Sequence, residues 1–190
     1  MIESLKNLDA SLLLFFNHLN NPVLDFIFYW ISDKWIWIPF YAYLAFKVYK
    51  NDPRHFLPAM VFIAAAVAMS DQISSTIIKN YTMRLRPCHD PSLASQVHLV
   101  KDYCGGQYGF VSSHAANVFA LTSFLASTLT SNTKLLLKYL WIWAIVVSFS
   151  RIYLGAHFPG DVLFGALLGI FIGAMLGKTY QKLILKPVNK

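Results

Sequence analysis

Charged residues are scarce in this sequence. Only 13% of its 190 residues are Asp, Glu, Lys or Arg, while 56% are hydrophobic; an ordinary soluble domain has about 25% charged residues. A soluble domain of this size has too much surface for its volume to bury so much apolar material. The composition therefore excludes a disordered chain and an ordinary cytosolic enzyme, and it favours a polytopic membrane protein.

Cysteine is also scarce, with two residues in the chain. Two cysteines are too few for a disulfide-dense miniprotein or a structural zinc site. No small-residue cleavage site follows the first apolar run, so we expect no cleavable signal peptide. The net charge of +7 would indicate a nucleic-acid partner in a soluble protein. Here lysines beside anionic lipid account for it, and we expect no nucleic-acid partner.

The apolar runs predict an all-α bundle of membrane-spanning helices. Residues 1–34 are interrupted by polar residues and are expected to form interfacial helices. Residues 35–178 then form the bundle and residues 179–190 a cytoplasmic tail, all in one domain. Five segments are candidates for spanning helices: 35–50, 56–79, 112–130, 135–153 and 159–178. The count rises to six if residues 10–31 also cross the membrane.

The lysines and arginines indicate which side of the membrane is cytoplasmic. With five spans, nine of the 16 basic residues fall on the side of the C-terminus. Of the seven on the other side, three belong to the motifs described next. The positive-inside rule then places the C-terminus in the cytoplasm and the polar loop 80–111 outside. We therefore expect a bacterial inner-membrane protein whose site lies on the periplasmic or extracellular side.

Three polar clusters stand at the outer ends of the predicted helices, and the five-span topology places all three at one membrane face. Together they offer three cations, two imidazoles and a carboxylate. Cations neutralise the nonbridging oxygens of a phosphoryl group in transfer, and imidazoles can attack phosphorus or protonate a leaving oxygen. The clusters are Lys79 with Arg86-Pro87, then Ser112-Ser113-His114, then Ser150-Arg151 with His157 and Asp161.

These clusters resemble the motifs of the type 2 phosphatidic acid phosphatase (PAP2) superfamily, whose pattern is KxxxxxxRP, PSGH and SRxxxxxHxxxD. Residues 79–87 and 150–161 match the first and third motifs in full. Residues 111–114 read Val-Ser-Ser-His, so the Pro and Gly of the second motif are replaced. The motif-bearing region covers under half of the chain, and the helical frame around it also fits the family.

The resemblance implies a metal-independent lipid phosphatase that works through a phosphohistidine, with no cofactor. His157 would be the nucleophile, Asp161 would orient it, and His114 would be the general acid. The phosphate would be bound by basic and hydroxyl residues, although the change from Gly at Ser113 puts one backbone contact in doubt. These residues are Lys79, Arg86, Ser112, Ser113 and Arg151.

The sequence leaves the substrate open among membrane lipid phosphates. We expect undecaprenyl diphosphate, and the alternatives are a lipid A phosphate and phosphatidylglycerophosphate or phosphatidate. A different class of protein, a phosphate-binding transporter, would need a polar path through the bundle. Apart from Asp71, the cytoplasmic halves of the predicted spans offer no acidic residue for such a path. The alternative is a structural role, in which Asp71 is a partner of Ser74, Ser75 or a lysine.

Three further features leave alternatives open. Cys88 and Cys104 lie in the loop that the orientation places in an oxidising space, so a disulfide between them is expected rather than two free thiols. Arg84 is not one of the residues that define the motif. Its guanidinium can either take part in the site or extend to the lipid headgroups. Glycine recurs every four residues in the last helix, which favours close packing inside the monomer or a homodimer seam: Gly165, Gly169, Gly173 and Gly177.

Overall fold

A computed structural model describes residues 2–129 and 133–185, and every regular element in these ranges is helical. The predicted all-α fold is therefore confirmed. Residues 186–190 of the expected tail, and residues 130–132 at the junction of the predicted spans 112–130 and 135–153, lie outside the described ranges. The helices are α1 (Ile2–Asn17), α2 (Pro22–Ser32), α3 (Ile38–Asn51), α4 (Phe56–Gln72), α5 (Lys79–Thr82), α6 (Ser113–Thr128), α7 (Lys134–Tyr153) and α8 (Pro159–Tyr180).

Three described helical stretches are long and apolar enough to cross a membrane: Pro53–Thr82, Lys134–Tyr153 and Pro159–Leu185. The helices α3 and α6 have 14 and 16 residues, and a spanning helix needs about 20. Most of α6 is buried among the other helices instead of facing outward. The count of five or six spans, and with it the boundaries of the interfacial segment, bundle and tail, stays a prediction.

The glycine ridge of α8 packs against α6. All four glycines are buried, and a Cβ atom added at any of them would come closer than 3.0 Å to an atom of α6 or of Ser112 just before it. Only glycine lets the two backbones approach this closely. The ridge is therefore occupied within the chain, as the first alternative predicted. A homodimer through the same glycines does not fit this packing, because α6 already covers that face.

The N-terminal helices are anchored to the end of α7. Leu13 of α1 is fully buried with Ile152 and Phe158. The buried side chain of Asn17 donates to the carbonyls of His98 and Tyr153 at 2.9 and 2.7 Å. Its carbonyl accepts the N–H of His98 at 2.8 Å. The segment predicted to be interfacial thus contributes packing beside the third polar cluster.

The helix that begins as α4 changes its winding before it reaches the first cluster. A π-helical segment, Ile73–Ile78, joins α4 to the short α5, which begins at Lys79. A π segment holds more residues per turn than an α-helix and therefore rotates the side chains that follow it; such segments are frequent at functional sites. This winding sets the direction from which Lys79 enters the site.

Substituting Gly169 by alanine tests the α6–α8 packing. Its Cβ would meet backbone atoms of Ala116 and Ala120, which cannot move without displacing α6. We expect Gly169→Ala to lower the free energy of unfolding by about 1–3 kcal/mol, the usual cost of overpacking. Gly106→Ala is the matched control, because no atom lies within 4 Å of a Cβ there. Thermal unfolding in detergent, followed by circular dichroism, measures both; equal melting temperatures would contradict the packing.

Candidate active site

The turn between α7 and α8 assembles the third polar cluster. Gly155 follows the end of α7 with a φ of +68°, in the left-handed region that favours glycine. The N–H of His157 then donates to the carbonyl of Arg151 at 3.2 Å. In the first turn of α8, Oδ2 of Asp161 accepts the N–H of Phe158 at 3.1 Å. The turn thereby brings a guanidinium, an imidazole and a carboxylate together.

His157 is almost completely buried, with 1% of its surface exposed. Its Nε2 lies 3.2 Å from Nη1 of Arg86. Because a guanidinium can only donate, Nε2 must be the acceptor, and the ring proton is assigned to Nδ1. Nδ1 lies 3.5 Å from Oδ2 of Asp161, which is long for a hydrogen bond. The imidazole therefore carries its lone pair on Nε2, beside a cation.

Burial is the main reason why the pKa of His157 lies well below its ordinary value, and the charges of Arg86 and Arg151 lower it further. The neutral ring is the form that can act as a nucleophile. Burial also lowers the pKa of Arg86, but a guanidinium remains charged at neutral pH. The site thus pairs a neutral imidazole with a fixed positive charge.

Ser112 links the second cluster to the third. It is fully buried, and its Oγ caps α6 by accepting the N–H of Ala115 at 3.5 Å. Its own N–H donates to the carbonyl of Asp161 at 2.9 Å. In this arrangement Ser112 holds the start of α6 against α8, and its contact with phosphate stays a proposal.

Ser113 links the second cluster to the first. Its Oγ accepts a hydrogen bond from Nζ of Lys79 at 3.0 Å and lies 2.9 Å from the hydroxyl of Ser74. Serine stands here where the family pattern has glycine, and its side chain supplies a contact that glycine lacks. The Lys79 ammonium is therefore held at the N-terminus of α6, where helix geometry favours an anion.

Two arginines offer buried donors in addition. Arg86 and Arg151 are 8% and 5% exposed, and Arg151 donates to the hydroxyl of Ser32 on α2. The Nε atoms of both are buried and have no hydrogen-bond partner among the described residues. Buried guanidinium donors are unfavourable unless they are paired, and they match the oxygens of a phosphate group. The charges of both arginines and of Lys79 act on His114.

A cavity of about 560 Å³ extends from His114 between α3, α4, α6 and α7. Its lining is mainly apolar, with Asp71 among the exceptions. Oδ1 of Asp71 accepts a hydrogen bond from Nδ2 of Asn117 at 3.0 Å. Ser74 and Ser75 donate to the backbone carbonyl of Asp71 and not to its carboxylate. Both predicted serines therefore contact Asp71, but through its backbone, while its carboxylate pairs with an amide on α6.

The loop before α6 closes one side of the site. Cys88 and Cys104 are joined by a disulfide, with their Cα atoms 6.3 Å apart. The carbonyl of Cys104 accepts a hydrogen bond from Arg86 at 3.2 Å. A Cβ at Gly109 would come within 2.9 Å of Oδ2 of Asp161, so this glycine lets the loop pack directly on the carboxylate of Asp161.

Two residues of the site are not predicted by the motifs: the sequence left the role of Arg84 open, and Asp9 was not recognised as a site residue. Nη1 of Arg84 lies 2.8 Å from Oδ1 of Asp161, and its Nη2 lies 2.7 Å from Oδ2 of Asp9. Arg84 is therefore engaged by two carboxylates. The one feature of the sequence that could have indicated Asp9 is that it is a charged residue within the apolar run of α1.

A family model described as "PAP2 superfamily" matches residues 59–184. The lipid A 4′-phosphatases of Bacteroides thetaiotaomicron and Porphyromonas gingivalis are 36% and 34% identical to this chain. The alignments cover 91% and 94% of this chain, and 77% and 75% of those proteins. The undecaprenyl-diphosphatase of Sulfolobus acidocaldarius is 28% identical, over 73% of this chain and 61% of that protein.

The fold is similar to the crystal structure of a transmembrane PAP2-type phosphatidylglycerolphosphate phosphatase from Bacillus subtilis. The TM-score is 0.67 at 19% identity, and the match covers 95% of this chain and 88% of that one.

The buried state of His157 predicts a pH dependence of stability. The unfolded chain protonates this residue near pH 6.5, whereas the folded protein keeps it neutral to a lower pH. The free energy of unfolding should therefore fall below about pH 6.5, by up to about 1.4 kcal/mol per pH unit. His157→Gln lacks this contribution. Thermal unfolding of both proteins between about pH 8 and 5 tests the prediction, and parallel curves would contradict it.

Proposed function

The chain belongs to the PAP2 superfamily, and from that premise we propose that this membrane lipid phosphatase hydrolyses the sugar phosphate of a lipid A-type glycolipid. The observation that carries the reaction is the neutral, buried His157, whose Nε2 lies 3.2 Å from the Arg86 guanidinium. Two relatives whose alignments cover 91% and 94% of the chain are named lipid A 4′-phosphatases. They favour the lipid A alternative over undecaprenyl diphosphate, the substrate expected from the sequence.

The first step is attack by Nε2 of His157 on the phosphorus atom. A bond forms between nitrogen and phosphorus, and the bond between phosphorus and the ester oxygen breaks. His114 gives its proton to that oxygen, so the dephosphorylated lipid leaves as an alcohol. Lys79, Arg86 and Arg151 neutralise the charge on the nonbridging oxygens. The proton on Nδ1 stays in place, opposite the carboxylate of Asp161.

The second step returns the enzyme to its starting state. His114, now neutral, accepts a proton from a water molecule whose oxygen attacks the phosphorus of phosphohistidine. The bond between nitrogen and phosphorus breaks, and inorganic phosphate leaves. Both imidazoles then hold the protons with which they began, so one water is consumed for each phosphate released. In this scheme the chain's own cations bind the phosphate and no metal is required.

The pair formed by Asp71 and Asn117 supports a glycolipid substrate. The carboxylate and His114 line the same cavity. A carboxylate has lone pairs beyond the one that accepts from Asn117, so it can also accept from a sugar hydroxyl or an amide N–H. A glucosamine-based lipid carries such donors next to its phosphate, whereas a polyprenyl chain has none. The apolar remainder of the cavity suits acyl chains.

We propose that the site faces the periplasm. The loop with the Cys88–Cys104 disulfide packs on the same end of the bundle as His157, through the contact between Arg86 and Cys104. Structural disulfides persist in oxidising compartments. The distribution of lysines and arginines in the sequence favours the same orientation, with this end outside the cytoplasm.

Phosphate release in detergent tests the proposed function. The purified protein should release phosphate from lipid A bearing a 4′-phosphate faster than from undecaprenyl diphosphate, and it should do so in the presence of EDTA. His157→Ala should abolish turnover, and His114→Ala should lower kcat by roughly 10²- to 10⁴-fold. His89→Ala, an exposed loop histidine, is the control and should behave as wild type.

Three results would contradict the proposal. A clear preference for the polyprenyl substrate would reassign the lipid. Loss of activity with EDTA and recovery with Mg²⁺ would exclude the metal-free scheme. Full activity of His157→Ala would remove the nucleophile from the mechanism.

A further inference from the structure

The carboxylate of Asp161 uses its two oxygens differently. Oδ2 accepts the N–H of Phe158 and lies 3.5 Å from Nδ1 of His157. Oδ1 accepts a hydrogen bond from Nη1 of Arg84 at 2.8 Å. The side chain of Asp161 is completely buried, while 30% of the Arg84 side chain is exposed. The arginine therefore contacts the carboxylate through the oxygen that is not paired with His157.

A carboxylate removed from water is costly unless a cation pairs with it. Within residues 2–129 and 133–185, Arg84 is the one lysine or arginine in ion-pair contact with Asp161. His157 cannot take that role, because it is held in its neutral form. The charge that Asp161 presents to the imidazole thus depends on Arg84.

Arg84 is itself fixed in place. Its guanidinium lies over the ring of Phe158, 4.2 Å from the centroid. Its Nη2 lies 2.7 Å from Oδ2 of Asp9. Oδ1 of Asp9 accepts the N–H of Gly160 at 2.7 Å. Asp9 therefore fastens α1 both to the arginine and to the first turn of α8.

We propose that Arg84, held by Asp9, is a positioning residue that keeps the carboxylate of Asp161 charged and aimed at Nδ1 of His157. This inference rests on the proposed role of His157 as the nucleophile. Asp9 lies outside the region matched by the family model, residues 59–184, so α1 adds a part of its own to the reaction centre.

The chemistry explains why this position matters. When Nε2 of His157 bonds to phosphorus, the ring keeps its proton on Nδ1 and gains positive charge. An ionised Asp161 stabilises that charge, as a carboxylate does behind a catalytic histidine. The hydrogen bonds of the two Arg84 Nη atoms go to carboxylates, so the loss of Arg84 should reduce kcat and leave KM nearly unchanged. We expect a fall of roughly 10- to 100-fold for Arg84→Gln, the range seen when outer partners of liganding histidines are removed.

Four variants measured for kcat and KM separate positioning from other roles. Arg84→Lys keeps the charge and should retain more activity than Arg84→Gln. Asp9→Asn, which is nearly isosteric, should lower kcat by a smaller factor. Because Asp9 acts through Arg84, the double variant Asp9→Asn with Arg84→Gln should be no slower than Arg84→Gln alone. His89→Ala again serves as the control.

A second readout does not depend on the substrate. The ¹⁵N NMR signals of the six histidines can be assigned with His157→Gln as the blank. In the wild type the His157 ring should be neutral and protonated on Nδ1. Arg86 still holds the tautomer in Arg84→Gln and Asp9→Asn, but the contact of Nδ1 with the carboxylate should weaken and the Nδ1 proton signal should move upfield, whereas a purely structural role would leave that signal unchanged.

The outcomes are distinct. Absence of phosphate release by the wild type would overturn the proposed function, and the NMR comparison would still decide the role of Arg84. Wild-type kcat and an unchanged Nδ1 proton signal in both Arg84→Gln and Asp9→Asn would overturn the positioning role. A rise in KM at unchanged kcat would do so too, since it would make Arg84 a substrate contact. If Arg84→Gln does not fold, Arg84→Lys and Asp9→Asn give the same decision.

Discussion

Arg86 donates to Nε2 of His157 at a place where both side chains are almost closed to water, and the chemistry of the site depends on this contact. It fixes the tautomer of the imidazole, because a guanidinium cannot accept a hydrogen bond. It also places a positive charge beside the atom that attacks phosphorus. Low-dielectric surroundings strengthen both effects, and the helices packed around these two residues must exclude water to maintain them.

The packing of the bundle provides that exclusion. The glycine ridge of α8 lets its backbone lie directly on α6, which is close enough for the N–H of Ser112 to reach the carbonyl of Asp161. The π-helical segment before α5 delivers Lys79 to Ser113. Each of the three polar clusters thus contacts another through at least one hydrogen bond. Helix packing sets the contacts of Lys79 with Ser113 and of Ser112 with Asp161, whereas Arg86 and His157 lie in segments that join the helices.

The parts of the site that the sequence predicts are those carried by short spacing within one element. His157 and Asp161 lie four residues apart at the start of α8, and the period of four in its glycines indicated a packing ridge. Contacts between distant segments carry no such signature. Nothing in the spacing relates Asp9 to Arg84, or Asp71 to Asn117, because a single polar residue in an apolar helix does not specify its partner. The motif comparison shows only that Ser113 replaces a glycine, and it does not predict that the serine hydroxyl binds Lys79.

The central claim is that phosphate is transferred to Nε2 of His157 before water removes it. Rapid mixing with a ³²P-labelled lipid substrate, followed by an alkaline quench that preserves phosphohistidine, tests this directly. The account predicts label on the peptide that contains His157, located on that side chain by mass spectrometry and absent from His157→Ala. Steady release of phosphate with no label on His157, or with label on another residue, would contradict it.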